Sequence, residues 1–192
     1  MPRTKAFEPN EVLENAMLLF WKQGYHGSSM QDITVATGLN RSSLYNTFGG
    51  KMQLYQAALA RYQKRSHTIF QKALMTAGNP REAIALIFDG FVKEINNREE
   101  GMGCFSAHAK HEMNSDSAIR NRLLLEEEQQ LSFFEELLAD GQERGSINGR
   151  QTAGEYAYVL YNTLQGMKTV GILQNDAHRL EAIVQVTLRS LR

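Results

Sequence analysis

The chain has one cysteine, three prolines and no long apolar run. A single thiol excludes an intrachain disulfide and makes a reducing cytoplasm the simplest expectation for its location. No apolar stretch approaches the roughly twenty residues that a transmembrane helix needs. The opening segment MPRTKAFEPNE has no apolar core, so no secretory signal is expected. Neither sign of charge is in excess: 21 Lys and Arg balance 21 Asp and Glu. That balance does not fit a protein that coats nucleic acid indiscriminately. A glycine-rich phosphate loop and an HExxH motif are both missing, as is any nucleophile–base pattern in a recognisable setting. An enzyme is therefore not expected. There is no alternating strand pattern, no repeat and no low-complexity segment.

What is present is helical periodicity throughout 192 residues that are 42% hydrophobic. That length suits one large domain or two small ones with a real core. The charge is unevenly placed. Residues 1–65 carry eight Lys or Arg against four Asp or Glu, and the remainder carries thirteen against seventeen. A basic head on an acidic body suits a protein that presents one end to DNA.

The stretch from Ser29 to Phe48 organises the rest. Ser28 or Ser29 can cap a first short helix, and Asp32 lies three residues after Ser29, as in a capping box. Gly38 supplies the left-handed residue that ends it. Asn40 can cap a second helix from about Arg41 to Thr47, with Leu44 and Phe48 turned inward. Its free face then carries only hydrogen-bonding side chains, which is a helix-turn-helix with a reading face. Arg41, Ser42, Ser43 and Asn46 are the candidates for base edges, since Arg matches guanine, Asn matches adenine and Ser serves either. Tyr45, Thr47 and Lys51 are the candidates for phosphates, Lys51 at a helix N-terminus where backbone amides add to its charge.

The run ITVATGLNRSSLYNTFGGK resembles the DNA-binding signature of the tetracycline-repressor (TetR) family of bacterial regulators. The resemblance spans roughly residues 8 to 65. Thr34, Thr37, Asn40 and Met52 depart from the usual pattern without removing any type of DNA contact. It implies an all-α fold of about nine helices. A DNA-binding head at 1–52, with the helix-turn-helix at 29–48, would precede a ligand-binding and dimerisation body at 53–192.

Along the chain, Arg3 and Lys5 lie in an N-terminal arm. Pro9 and Asn10 open a helix to about Gln23 with Val12, Ala16, Met17, Phe20 and Trp21 as its apolar stripe, and Gly24 ends it. Further helices are predicted from Lys51 to about Met75, from Asn79-Pro80 to about Asn96, and from Gly101 to Met113. Another runs from Ser115 or Asp116 to about Glu143, where Leu124, Leu131 and Leu138 recur every seven residues. Thr152 to Leu173 and a last helix ending at Leu191 follow.

Two features point to a homodimer. The last two helices offer more apolar surface than one chain can cover, and one helix-turn-helix reads too few base pairs alone. The resemblance implies that these helices pair across the dimer, which assigns Ala157, Leu164, Gly166, Leu180, Val184 and Leu188 to that interface. It also implies a pocket for a small-molecule inducer, with Phe88 and Tyr161 among the aromatics available to line it. Glu128 follows Leu124 by four and is expected to point inward as a polar contact for a ligand.

Cys104 supports a different reading, a redox-sensing or small-molecule-binding protein that does not read DNA specifically. Some members of the family sense electrophiles through a cysteine after glycine at this place, and here the pair is Gly103-Cys104. His108 and a helix N-terminus could favour its thiolate. The bland alternative is a small buried hydrophobe. Cys104, His108 and His111 or Glu112 are also spaced along one helix face. Three ligands strung along a straight helix span too far to share an ion, so neither a metal nor a cofactor is expected. The expected partners are operator DNA, a second copy of the chain and an inducer, with no membrane.

Overall fold

In the computed structural model, residues 8–97, 102–171 and 176–192 are described. They form nine helices and no strand: α1 Pro9–Gly27, α2 Met30–Thr37, α3 Arg41–Phe48, α4 Lys51–Thr76, α5 Pro80–Asn96, α6 Phe105–Glu112, α7 Ser117–Glu143, α8 Ala153–Val170 and α9 Ala177–Ser190. The all-α architecture is as expected. Arg3, Lys5 and Gly101 lie outside the described residues.

Local chemistry explains the boundaries. Pro9 starts α1 at a position where its missing N–H costs nothing. Ser29 and Asp32 form the reciprocal capping box of α2, at 3.1 and 2.8 Å. Asn40 accepts from the Ser43 N–H at 2.8 Å and starts α3. Asn79 does the same for α5 through Glu82, Thr152 and Glu155 box α8, and Asp176 caps α9. Four of these five caps use Asn or Asp, residues well suited to holding orphan helix N–H groups.

The chain divides into two compact units. One comprises residues 1–65 and 105–120, and the other 66–104 and 121–192. By packing, the N-terminal unit therefore extends beyond residue 52. It takes in the first half of α4 and, across a long gap in sequence, all of α6.

The N-terminal unit is built on an aromatic cluster. Trp21 meets Tyr62 edge-on at 4.8 Å, Phe20 meets Tyr55 at 5.1 Å, and Phe105 from α6 meets both tyrosines. Trp21, Phe20, Tyr55, Tyr62 and Phe105 are all buried. Burial of such rings contributes on the order of 2 kcal/mol each. Phe105 is thus the apolar reason that α6 belongs to this unit.

The C-terminal unit has its own core from the second half of α4 with α5, α7, α8 and α9. Phe70, Ile84, Ile87, Phe88, Phe91, Phe134, Leu138, Leu160, Leu164 and Leu180 fill it. Phe70 contacts Phe91, Phe133 and Phe134 edge-on. The heptad expected on α7 is only partly realised: Leu138 is buried, but Leu124 is 54% exposed. An α-helix drifts by about 20° per heptad, so a stripe correct at one end of a 27-residue helix leaves the core at the other.

Candidate nucleic-acid interface

Helix α3 is held at both ends. Asn40 caps its start, and the Gly49 N–H donates to the Tyr45 carbonyl at its end. Leu44, fully buried, anchors its inner side. Before it, Gly38 has φ of +69° with open space around the Cα, so its requirement is conformational rather than steric. Arg41, Ser42, Tyr45, Asn46 and Thr47 are exposed together, as expected for a reading face. Ser43 is half-buried at the edge of that face. The Tyr45 ring lies against Gly50, where an added Cβ would come within 3.2 Å of it.

Lys51 opens α4 beside this face. It is half-buried, with its ammonium 4.3 Å from the centroid of the Tyr25 ring. Burial pushes its pKa down, against the carboxylates of Glu112 and Asp32, which pull it up. The lysine is therefore presented from a fixed stem.

The support beneath comes from a residue that the sequence offered only as a metal ligand. Gly24 breaks α1, with φ +75° and ψ 177°, and exposes two backbone N–H groups after the break. Glu112, from the end of α6, accepts both: Tyr25 N–H at 2.7 Å and His26 N–H at 2.6 Å. An added Cβ at Gly24 would meet that carboxylate at 2.7 Å. Tyr55 lies in the same region with its hydroxyl buried and without a hydrogen-bond partner. Burial, then the charge on Glu112, pushes the Tyr55 phenol well above its usual range. Nothing in local sequence pairs a glycine at 24 with an acid at 112. The acidic end of a helix carrying His and Cys was the visible signal, and it suggested another chemistry.

The residues expected to bind ligand divide differently. Cys104 is 1% exposed and His108 half-buried. Among the described residues no three His, Cys, Asp or Glu side chains cluster as metal ligands. Phe88 is a core residue, stacked on Phe134 at 6.4 Å. Glu128 is exposed, which corrects its expected inward direction. The inward acid is its neighbour: Glu127 accepts from the Tyr161 hydroxyl at 2.9 Å. One residue is a 100° turn on a helix, enough to exchange the two sides.

The residues assigned to a dimer interface also need correction. Ala157, Leu164, Leu180, Val184 and Leu188 belong to the core of their own chain. Only Gly166 of that set is exposed, with open space around it. The apolar side chains that α8 and α9 leave in solvent are Tyr158, Val159 and Val186, each at least half exposed.

On its inward side, α8 carries three polar side chains at i, i+4 and i+7. Tyr161 bonds Glu127, and Gln165 reaches Gln130 at 3.5 Å. Lys168, 2% exposed, has its ammonium 4.3 Å from the centroid of the Phe91 ring on α5. Among the described residues no carboxylate lies within 4.0 Å of that ammonium.

A helix-turn-helix with an exposed reading face, on a chain with a separate helical body, defines a DNA-binding transcriptional regulator and not an enzyme. Residues 12–58 match the family model described as "Bacterial regulatory proteins, tetR family". That stretch carries the DNA-binding signature of the TetR family, and the whole chain is similar in length and fold to TetR-family regulators. It is 28% identical to the HTH-type transcriptional regulator YezE of Bacillus subtilis (strain 168), over the full length of both. It is 29% identical to the HTH-type transcriptional repressor ComR of Escherichia coli (strain K12), over 99% of this chain and 90% of that protein. Among solved structures, a cysteine-substituted form of the TetR-family regulator CifR, bound to 26-base-pair operator DNA, superposes with a TM-score of 0.88. That match has 27% sequence identity and covers 99% of this chain and all of the other.

Proposed function

We propose that the protein is a homodimeric repressor that binds a near-palindromic operator and is released by a small-molecule effector. The observation that carries this reading is the face of α3. The side chains of Arg41, Ser42, Asn46 and Thr47 are exposed and make no hydrogen bond to the described residues, on a helix fixed by caps at both ends. Such a face is pre-organised for a major groove. Operator binding by CifR and repression by ComR support it by similarity. Arg41, Ser42, Ser43 and Asn46 read bases. Tyr45, Thr47 and Lys51 hold phosphates. The head at 1–52 is the part that meets DNA, and the body at 53–192 binds the effector and the second copy.

The exposed Tyr158, Val159 and Val186 with Gly166 form the surface for that second copy. Two heads then read half-sites about 10 base pairs apart or a multiple of that. The effector acts by binding the released conformation of the dimer more tightly than the DNA-bound one. Work on an operator places the protein in the cytoplasm. Buried Cys104 serves as a small core residue in this scheme.

The test is selection from a random duplex pool at near-physiological salt. A near-palindromic consensus supports the reading. Its absence, for protein refolded free of any bound ligand, refutes it. Against the selected site, Arg41→Ala should cost about 1–3 kcal/mol and relax specificity at one position. Lys51→Ala should weaken all sites alike and reduce the salt slope by about 1. Val159→Glu with Val186→Glu should give a monomer by sedimentation, and a dimer that persists would remove α8 and α9 as the interface.

A further inference from the structure

The end of α1 joins three elements of the N-terminal unit at one ring. Tyr25 follows the break at Gly24, and Glu112 of α6 accepts its backbone N–H at 2.7 Å and that of His26 at 2.6 Å. The Ser28 hydroxyl closes the same turn by donating to the Gly24 carbonyl at 2.7 Å. The Tyr25 ring is held in turn by Phe20, stacked at 6.5 Å, and by Tyr55, edge-on at 5.2 Å. Over it sits the Lys51 ammonium, 4.3 Å from the centroid. A ring face engages an ammonium without occupying it as a hydrogen-bond acceptor would, so its three N–H donors stay available to a phosphate.

From this we infer that Tyr25 and Glu112 are positioning residues for operator binding: the α6 carboxylate fixes the turn, the turn fixes the ring, and the ring holds the Lys51 ammonium where α4 meets a phosphate. The inference rests on the reading of Lys51 as a phosphate contact and adds to it two residues outside the helix-turn-helix. Ordering a long, free side chain on binding costs a factor of about two to ten in affinity, and a stem that is already ordered escapes most of that loss. The sign of the Glu112 effect separates positioning from charge. A carboxylate near a phosphate repels it, so by charge alone the loss of Glu112 would tighten DNA binding. Glu112 and Asp32 both attract the Lys51 ammonium, and Glu112 also bonds the turn that carries the ring. Positioning therefore predicts weaker binding when Glu112 is lost.

The test uses the full chain with two probes, the duplex selected from the random pool and a mixed-sequence duplex, since a phosphate contact is felt on both. Affinity is measured by fluorescence anisotropy at a temperature where circular dichroism shows each variant folded. Tyr25→Leu and Glu112→Gln should each weaken binding about three- to tenfold. Each should lose that effect in a Lys51→Ala background, which is the coupling that a double-variant cycle reads. Tyr25→Phe keeps the ring face and should bind within about twofold of wild type. Without DNA, the Lys51 side-chain proton resonances should lie upfield under the Tyr25 ring. They should lose that shift in Tyr25→Leu and part of it in Glu112→Gln. If Glu112→Gln does not stay folded, Glu112→Asp, whose shorter stem withdraws the carboxylate from the two amides, takes its place. A merely structural role would loosen α3 and weaken binding equally with and without Lys51. That equality, tighter binding by Glu112→Gln, a loss in Tyr25→Phe matching that in Tyr25→Leu, or Lys51 resonances unmoved by Tyr25→Leu overturns the inference.

These outcomes separate from the repressor reading. If the wild type binds the mixed duplex but selects no operator, only the repressor reading falls, and the cycle with Lys51→Ala still decides the inference. If it binds an operator and neither variant couples to Lys51, only the inference falls. A wild type that binds neither duplex removes both.

Discussion

Glu112→Gln should destabilise the N-terminal unit although it leaves the shape of the side chain unchanged. In the native protein both carboxylate oxygens accept backbone N–H bonds, at 2.7 Å from Tyr25 and 2.6 Å from His26. Hydrogen bonds to a charged acceptor contribute about 1.5–3 kcal/mol each. The amide keeps one oxygen, now neutral, and turns a donor toward the other N–H. With Glu112 half-buried, solvent offsets part of this, and the expected loss is about 2–3 kcal/mol. For a chain of this length that lowers Tm by roughly 4–10 °C. Urea unfolding gives the magnitude, and amide exchange at Tyr25 and His26 locates it. A cycle with Gly24→Ala sharpens the test. Its Cβ would displace the same carboxylate, so the double variant should lose less than the two singles together. The reasoning fails if Glu112→Gln unfolds within about 0.5 kcal/mol of wild type and both amides stay as protected as before.

Asn40→Ala removes the side-chain cap of α3 and should cost about 1 kcal/mol of stability. Operator affinity should fall as well, because the reading helix frays at the end that carries Arg41. In acid, Asp32 and Glu155 each have a pKa held below the usual carboxylate value, chiefly by the hydrogen bonds from Ser29 and Thr152. Their contribution is complete above the unfolded values of 3.8 and 4.5 and disappears as pH falls through the lower folded ones. Asp32→Asn with Glu155→Gln should therefore flatten the loss of stability below about pH 4 seen by circular dichroism, and an unchanged acid limb would contradict the assignment. Gly171→Ala should destabilise the C-terminal unit by about 1–3 kcal/mol through overpacking against Ile95, measured by urea unfolding.

The helix-turn-helix was legible because its information is local. Ser29 with Asp32, Gly38 and Asn40 act over three or four residues, and each does in the fold what its spacing implies. The body was less legible for two physical reasons. Burial against the same chain and burial against a second copy leave the same apolar pattern, so Ala157, Leu164, Leu180, Val184 and Leu188 read as interface when they are core. Direction around a long helix is also fixed only by packing, so Glu128 stood in for Glu127 and Leu124 for a core leucine. Lys168 gave no signal at all, since a lysine in a sequence reads as solvated until its burial is seen.

From α6, Glu112 reaches back 87 residues to Tyr25 on α1 and Phe105 reaches Tyr55 and Tyr62 on α4, yet all share one packed unit. This limits how the protein can be recombined. A chimera joined at residue 65 would carry the reading helix away without α6, leaving Tyr55 and Tyr62 uncovered and the break at Gly24 with two orphaned donors. A head that is to be exchanged between relatives must therefore bring its own residues 105–120, or the host's α6 must be re-matched to it at Phe105 and Glu112. Specificity in such a protein is not a detachable cassette, and a new operator preference can come with altered stability even when no residue on α3 is at fault.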